Sequence, residues 1–112
     1  MKIEESDKLV IITLKEKNLQ GFITSLRQEI TNGSCENKNV IVDLLSLTNL
    51  KLIDLSLFQD LSDTCYNKKC SFVLVNDAVN HNEISSTIHV TPTLQEAKDI
   101  IEMEEIERDL GF

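Results

Sequence analysis

The stretch from Asn39 to Asn76 limits the folds open to this chain more than any other. Val40-Ile41-Val42-Asp43-Leu44-Leu45 is a short, β-branched apolar run, and Ser71-Phe72-Val73-Leu74-Val75 is a second. Near-continuous apolar runs of this kind belong to strands covered on both faces. After a polar break at Ser46-Leu47-Thr48-Asn49 and the segment Leu50-Lys51-Leu52-Ile53, helical character runs from Ser56 to about Asn67. Strand, helix and strand at this spacing predict a parallel βαβ crossover of right-handed sense. The turn from its first strand into its helix then falls at the carboxyl edge of the sheet, where α/β domains present functional groups. Ser56 lies at that turn.

The flanking segments fit around this unit. Leu9-Val10-Ile11-Ile12-Thr13-Leu14 predicts a strand, paired as an edge hairpin with the opening residues around Ile3 through Ser6-Asp7-Lys8. Asn18 is placed to cap a helix whose apolar positions Leu19, Phe22, Ile23, Leu26 and Ile30 recur at helical steps. That helix ends near Asn32-Gly33, and Ser34 to Lys38 reads as a solvated loop. Asp77 to Thr87 lacks a period and predicts either one short helical turn around Glu83-Ile84 or a loop. Ile88-His89-Val90 alternates as a brief strand, stopped by Thr91-Pro92. Thr93-Leu94-Gln95-Glu96 has the form of a capping box. The helix it opens carries Leu94, Ala97, Ile100, Ile101, Met103, Ile106 and Leu110 as a wide apolar stripe, and Gly111 ends it. The sum is an α/β domain over residues 1–112, with a mixed, mostly parallel sheet of about four or five strands and three or four helices.

Charge and composition exclude several functions. Eleven basic against nineteen acidic residues give a net charge of −8 in 112 residues, which disfavours nucleic acid or an anionic membrane and points to a basic-faced protein partner. No apolar run approaches the ~20 residues that span a bilayer, and the opening Met1-Lys2-Ile3-Glu4-Glu5 is no signal peptide, so a cytoplasmic location is expected. Three cysteines, Cys35, Cys65 and Cys70, are an odd number with no zinc or redox spacing, so reduced thiols are expected. His81 and His89 have no neighbour at metal-ligand spacing, and the three glycines lie apart, so neither a metal site nor a phosphate loop is expected. No cofactor and no catalytic residue follows from the sequence. Between Glu96 and Asp109 seven acids accompany two bases, Lys98 and Arg108, which reads as a solvated helix face, with a dedicated acidic docking surface as the sharper alternative.

At Ser56 two readings stand side by side. A serine opening a helix, with Gln59 three residues on, is an N-cap contributing about 1 kcal/mol. A hydroxyl at a helix start is also a place where the dipole tolerates an added phosphate, which makes Ser56 a candidate phosphoacceptor. Asp54 would then be a neighbouring charge or a cap itself.

With these residues in view, the chain resembles the STAS family of sulfate transporters and anti-sigma factor antagonists. The resemblance runs through Leu9 to Leu14, Leu19 to Ile30, Asn39 to Leu44, Ile53-Asp54-Leu55-Ser56-Leu57, Ser71 to Val75, and Val90-Thr91-Pro92-Thr93-Leu94-Gln95-Glu96-Ala97. In family members that act as anti-sigma antagonists the turn before the second main helix reads Asp-Ser-Ser/Thr-Gly, and a partner serine kinase phosphorylates its second hydroxyl. Asp54 matches the aspartate and Ser56 the phosphoacceptor, while Leu55 replaces the first serine and Leu57 the glycine. The resemblance implies a bacterial, non-enzymatic protein-protein interaction domain in a partner-switching circuit that regulates transcription. Phosphorylation would fall on Ser56, and Asp54, Leu55, Ser56, Leu57 and Phe58 would be the partner-binding edge. The partner it implies is an anti-sigma factor with serine-kinase activity. Two alternatives remain open: a degenerate STAS domain holding another partner constitutively, and a small enzyme using Cys65 or Cys70.

Overall fold

A computed structural model describes residues 1–15, 18–32, 37–78 and 88–111. Cys35, His81, the helical turn expected around Glu83-Ile84 and most of the loop expected from Ser34 to Lys38 lie outside the described residues. In chain order the elements are β1 (Lys2–Glu5), β2 (Leu9–Thr13), α1 (Leu19–Asn32), β3 (Asn39–Asp43), α2 (Leu52–Leu55), a 3-10 turn (Ser56–Phe58), α3 (Gln59–Asn67), β4 (Phe72–Val75), β5 (His89–Thr91) and α4 (Leu94–Asp109). The five strands form one sheet in the order β1-β2-β3-β4-β5. β1 runs antiparallel to β2 and every other pairing is parallel, as expected from the sequence.

The hairpin closes where Ser6 donates its amide to the Leu9 carbonyl at 2.8 Å. Parallel register then sets Val10 beside Val40 and Val40 beside Phe72, so one side of three strands carries Val10, Ile12, Val40, Val42, Phe72 and Leu74. Because the order from β2 to β5 never reverses, right-handed crossovers put their helices on one face of the sheet. Phe22, Leu26 and Ile30 of α1 and Leu61 and Cys65 of α3 pack there. The other face carries Ile41, Val73 and Val75, covered by Ala97 and Ile101 of α4. This double covering is why β3 and β4 read as unbroken apolar runs. The sheet margins are of a different character. β1 is exposed at all four residues, with Lys2 paired to Glu4 at 3.1 Å, and β5 has only three residues.

Two expectations are corrected. The helical segment of the crossover begins at Leu52, not at Ser56, because Lys51 is extended (φ −112°, ψ 160°) and its amide donates to Asp54 Oδ2 at 3.0 Å. The capping pattern expected at Ser56 and Gln59 is thus displaced one turn toward the N-terminus, and Gln59 donates to Asp63 Oδ1 at 2.9 Å instead of reaching back. The second correction concerns α4, whose apolar residues do not all face the sheet: Met103, Ile106 and Leu110 are 61%, 53% and 66% exposed. Sixteen helical residues extend about 24 Å, whereas strands of four or five residues present only about 13–17 Å of apolar face. The last two turns outrun the core, and Glu104, Glu105 and Arg108 occupy their sheet-facing positions.

The caps of the longer helices follow the sequence. Asn18 Oδ1 accepts from Gly21 N at 3.3 Å at the start of α1, and Thr93 Oγ1 accepts from Glu96 N at 3.2 Å at the start of α4. Gly111, at φ +82°, stops α4 in the left-handed region that glycine adopts without steric cost.

Candidate functional site

The carboxyl edge of β3 is built around one buried amide. Asn76 has no exposed surface, and its Nδ2 donates to the Leu44 carbonyl at 2.8 Å and the Leu47 carbonyl at 3.0 Å. Its Oδ1 accepts from Ala78 N at 2.9 Å, and its backbone amide donates to Thr91 O at 2.9 Å. Asn76 therefore ties the ends of β3, β4 and β5 together, its side chain fixing the loop after β3 and its backbone amide holding β5. Asp43 Oδ1 takes the Leu45 amide at 3.0 Å, and Ser46 Oγ donates to Leu14 O at 3.3 Å. The sequence reading missed Asn76, which looks like an ordinary polar residue after a strand.

That loop delivers the chain to the turn singled out from the sequence. Leu55 and Phe58 are core residues, 5% and 0% exposed, and so anchor the turn without presenting surface. Of the five residues expected in a partner-binding edge, these two lie beneath the surface. Asp54 and Leu57 are half-buried and Ser56 is exposed. Ile53, 76% exposed, joins them and was not expected there. Ser56 is helical (φ −62°, ψ −24°), and its Oγ donates to Ile53 O at 2.7 Å. It caps nothing: Asp54 serves that end by accepting from Lys51 N. Beside the turn a recess of ≈ 310 Å³ is lined by Leu19, Leu47, Asn49, Leu50, Lys51 and Asp54.

A polar cluster lies at the opposite, amino end of the parallel strands. Glu104 accepts from Tyr66 Oη at 2.8 Å and pairs with His89 Nε2 at 3.1 Å. Asn39 Nδ2 donates to Glu105 Oε1 at 2.6 Å while Asn39 Oδ1 accepts from Ser71 N at 2.7 Å. Arg108 Nη2 reaches both Asn39 Oδ1 and Ser71 Oγ, at 3.3 and 3.2 Å. Burial alone would raise the Glu104 carboxyl, but hydrogen bonds from His89, Ser71 and Tyr66 outweigh it and hold the group at about 2. The hydrogen bond to Glu104 raises His89 against the opposing pull of burial, and burial and the same carboxylate push the Tyr66 phenol up. Two members of the acidic run thus hold α4 to the sheet, while most of the remainder are exposed.

Cys65 and Cys70 are buried, and burial pushes the Cys70 thiol up, away from thiolate character. Among the described residues no three His, Cys, Asp or Glu side chains gather as metal ligands, and no helix is long and apolar enough to cross a membrane.

A sequentially ordered sheet with one antiparallel margin, crossover helices on one face and a closing helix on the other defines a STAS-like α/β domain. The chain is similar in structure to a serine-to-glutamate variant of RsbS from Moorella thermoacetica, at a TM-score of 0.64 and 14% identity, over 91% of this chain and 94% of that one. It is also similar to a chain of the structure described as "Molecular architecture of the stressosome, a signal integration and transduction hub", at a TM-score of 0.58 and 13% identity, over 91% and 96%. At these identities the likeness is one of fold. No family profile matches the sequence, and no curated protein does.

Proposed function

We propose that this chain is a non-enzymatic protein-protein interaction domain of partner-switching type, similar in role to an anti-sigma factor antagonist and acting in the bacterial cytoplasm, with Ser56 as its control point. One observation carries the reading. Ser56 is an exposed hydroxyl on a turn locked into the core through Leu55 and Phe58, beside the exposed apolar side chain of Ile53 and the half-buried Leu57 and Asp54. A partner resting on Ile53 and Leu57 would cover the hydroxyl. A phosphate placed there would be a dianion in an apolar contact beside the Asp54 carboxylate, costing about 2 to 5 kcal/mol of binding, or more than about tenfold in affinity. The stressosome likeness supports a protein complex as the setting, and an anti-sigma factor with serine-kinase activity is the partner that the family resemblance implies.

The test is affinity capture from the native cytoplasm with wild-type, Ser56→Ala and Ser56→Glu baits, quantified by mass spectrometry together with mapping of phosphate on the recovered wild-type bait. A kinase-like or sigma-regulating protein held by the first two baits and lost from the third is the expected result. Identical partners on all three would make the domain a constitutive binder. The engagement of Ser56 Oγ by Ile53 O, and Leu57 in place of the family glycine, favour that second reading. The burial of Cys65 and Cys70 weighs against a thiol-dependent enzyme.

A further inference from the structure

The exposed apolar residues of α4 are unused by the Ser56 reading. A helix advances about 100° per residue, which sets Met103, Ile106 and Leu110 within about 60° of one another over the last two turns. Their spacing of three and then four residues is that of a helix-pairing seam. They lie on the side of α4 turned away from Glu104, Glu105 and Arg108, which hold the helix to the sheet. The exposed acids Glu107 on one flank, and Glu102 and Asp109 on the other, border the stripe. Large apolar side chains in a row on an otherwise charged surface mark a contact site, and the charges around them select the occupant.

We propose that this stripe is a docking surface for a basic amphipathic helix of a partner protein, with apolar residues at the same three-and-four spacing and Lys or Arg on their flanks. The acidic border decides among occupants. A second copy of the chain would bring Glu102, Glu107 and Asp109 against their own counterparts, in a molecule already at −8. An anionic bilayer would be repelled by the same groups. A cationic helix pairs with both flanks while covering Met103, Ile106 and Leu110. The surface lies on α4, across the sheet from α2 and the Ser56 turn, so occupancy of one leaves the other open.

A labelled peptide of leucine and lysine, about four turns long, with leucines at the seam positions and lysines elsewhere, serves as the probe. Binding to the full chain is followed by fluorescence anisotropy, and the site is located by amide chemical-shift changes. Two triple variants separate the contributions: Met103→Ser, Ile106→Ser and Leu110→Ser keeps the charge, whereas Glu102→Gln, Glu107→Gln and Asp109→Asn keeps the apolar stripe. All six positions are exposed, and a thermal melt of each variant checks that it stays folded. The expected result is a loss of about tenfold or more for each triple variant, with shifts concentrated on residues 99–110. Equal binding by wild type and the serine variant would reduce the effect to bulk charge and overturn the proposal. Shifts centred on residues 53–57, or a wild-type dimer in sedimentation velocity, would overturn it too, the first by moving the contact to the Ser56 turn and the second by making the stripe an interface between copies.

Discussion

Ser56 Oγ donates to the carbonyl of Ile53 at 2.7 Å, a bond that stays within its own turn and ties the residue to nothing else. Asp54 has the structural task at this end of the helix, because its carboxylate receives the Lys51 amide that would otherwise lack a partner. Replacing Asp54 with Ala should therefore cost about 1 kcal/mol, while Ser56→Ala should change stability by less than about 0.5 kcal/mol. Urea unfolding of the two variants checks this, and a larger loss for Ser56→Ala would return that residue to the role of a cap. The sequence placed the helix start one turn late and favoured Ser56 over Asp54 as its cap. Both Asp54 and Ser56 have good capping chemistry, and only the extended backbone of Lys51 chooses between them. Asn76 was illegible for a related reason. A buried amide serving two carbonyls on a loop some thirty residues earlier in the chain has no local signature.

Among the elements, α4 departs furthest from what its sequence suggests. Its period marks a helix correctly, yet the period alone does not say where the facing layer ends, and the apolar stripe was extended past the sheet. Beyond Ile101 the docking is polar: Glu104 with His89 and Tyr66, Glu105 with Asn39, and Arg108 with Asn39 and Ser71. This arrangement has a pH dependence with a definite sign. His89 titrates above its ordinary value of about 6.5 in the folded chain, so its contribution is complete below that value and is lost as pH rises through the raised one. Glu104, held at about 2, contributes above its ordinary 4.5 and loses that contribution as pH falls toward 2. The pair stabilises most between about pH 4.5 and 6.5. The urea midpoint of wild type is expected to fall as pH rises above about 6.5, and the fall to shrink in His89→Asn. An unchanged slope in the variant would show that the pair contributes nothing over that range.

For the whole molecule, the order of elements and the mostly parallel sheet were legible because Val40 to Val42 in β3 and Phe72 to Val75 in β4 are unbroken apolar runs, which a doubly covered strand requires. The same covering buries Cys65 and Cys70 on the face packed by α1 and α3. In a Cys35→Ser background both thiols should react with an aromatic disulfide reagent more than about tenfold slower than in urea, since a buried sulfur meets the reagent only when the core opens. Rapid reaction of either in the native state would place it in an accessible, activated setting and revive the enzymatic alternative. The margins of the sheet have a consequence of another kind. One is a strand exposed along its length and carrying Lys2, Glu4 and Glu5, and the other is only three residues long. Such borders do not template the addition of further strands. Such margins favour contacts made through helices and loops, which a single added charge can undo, over a continuous backbone ladder.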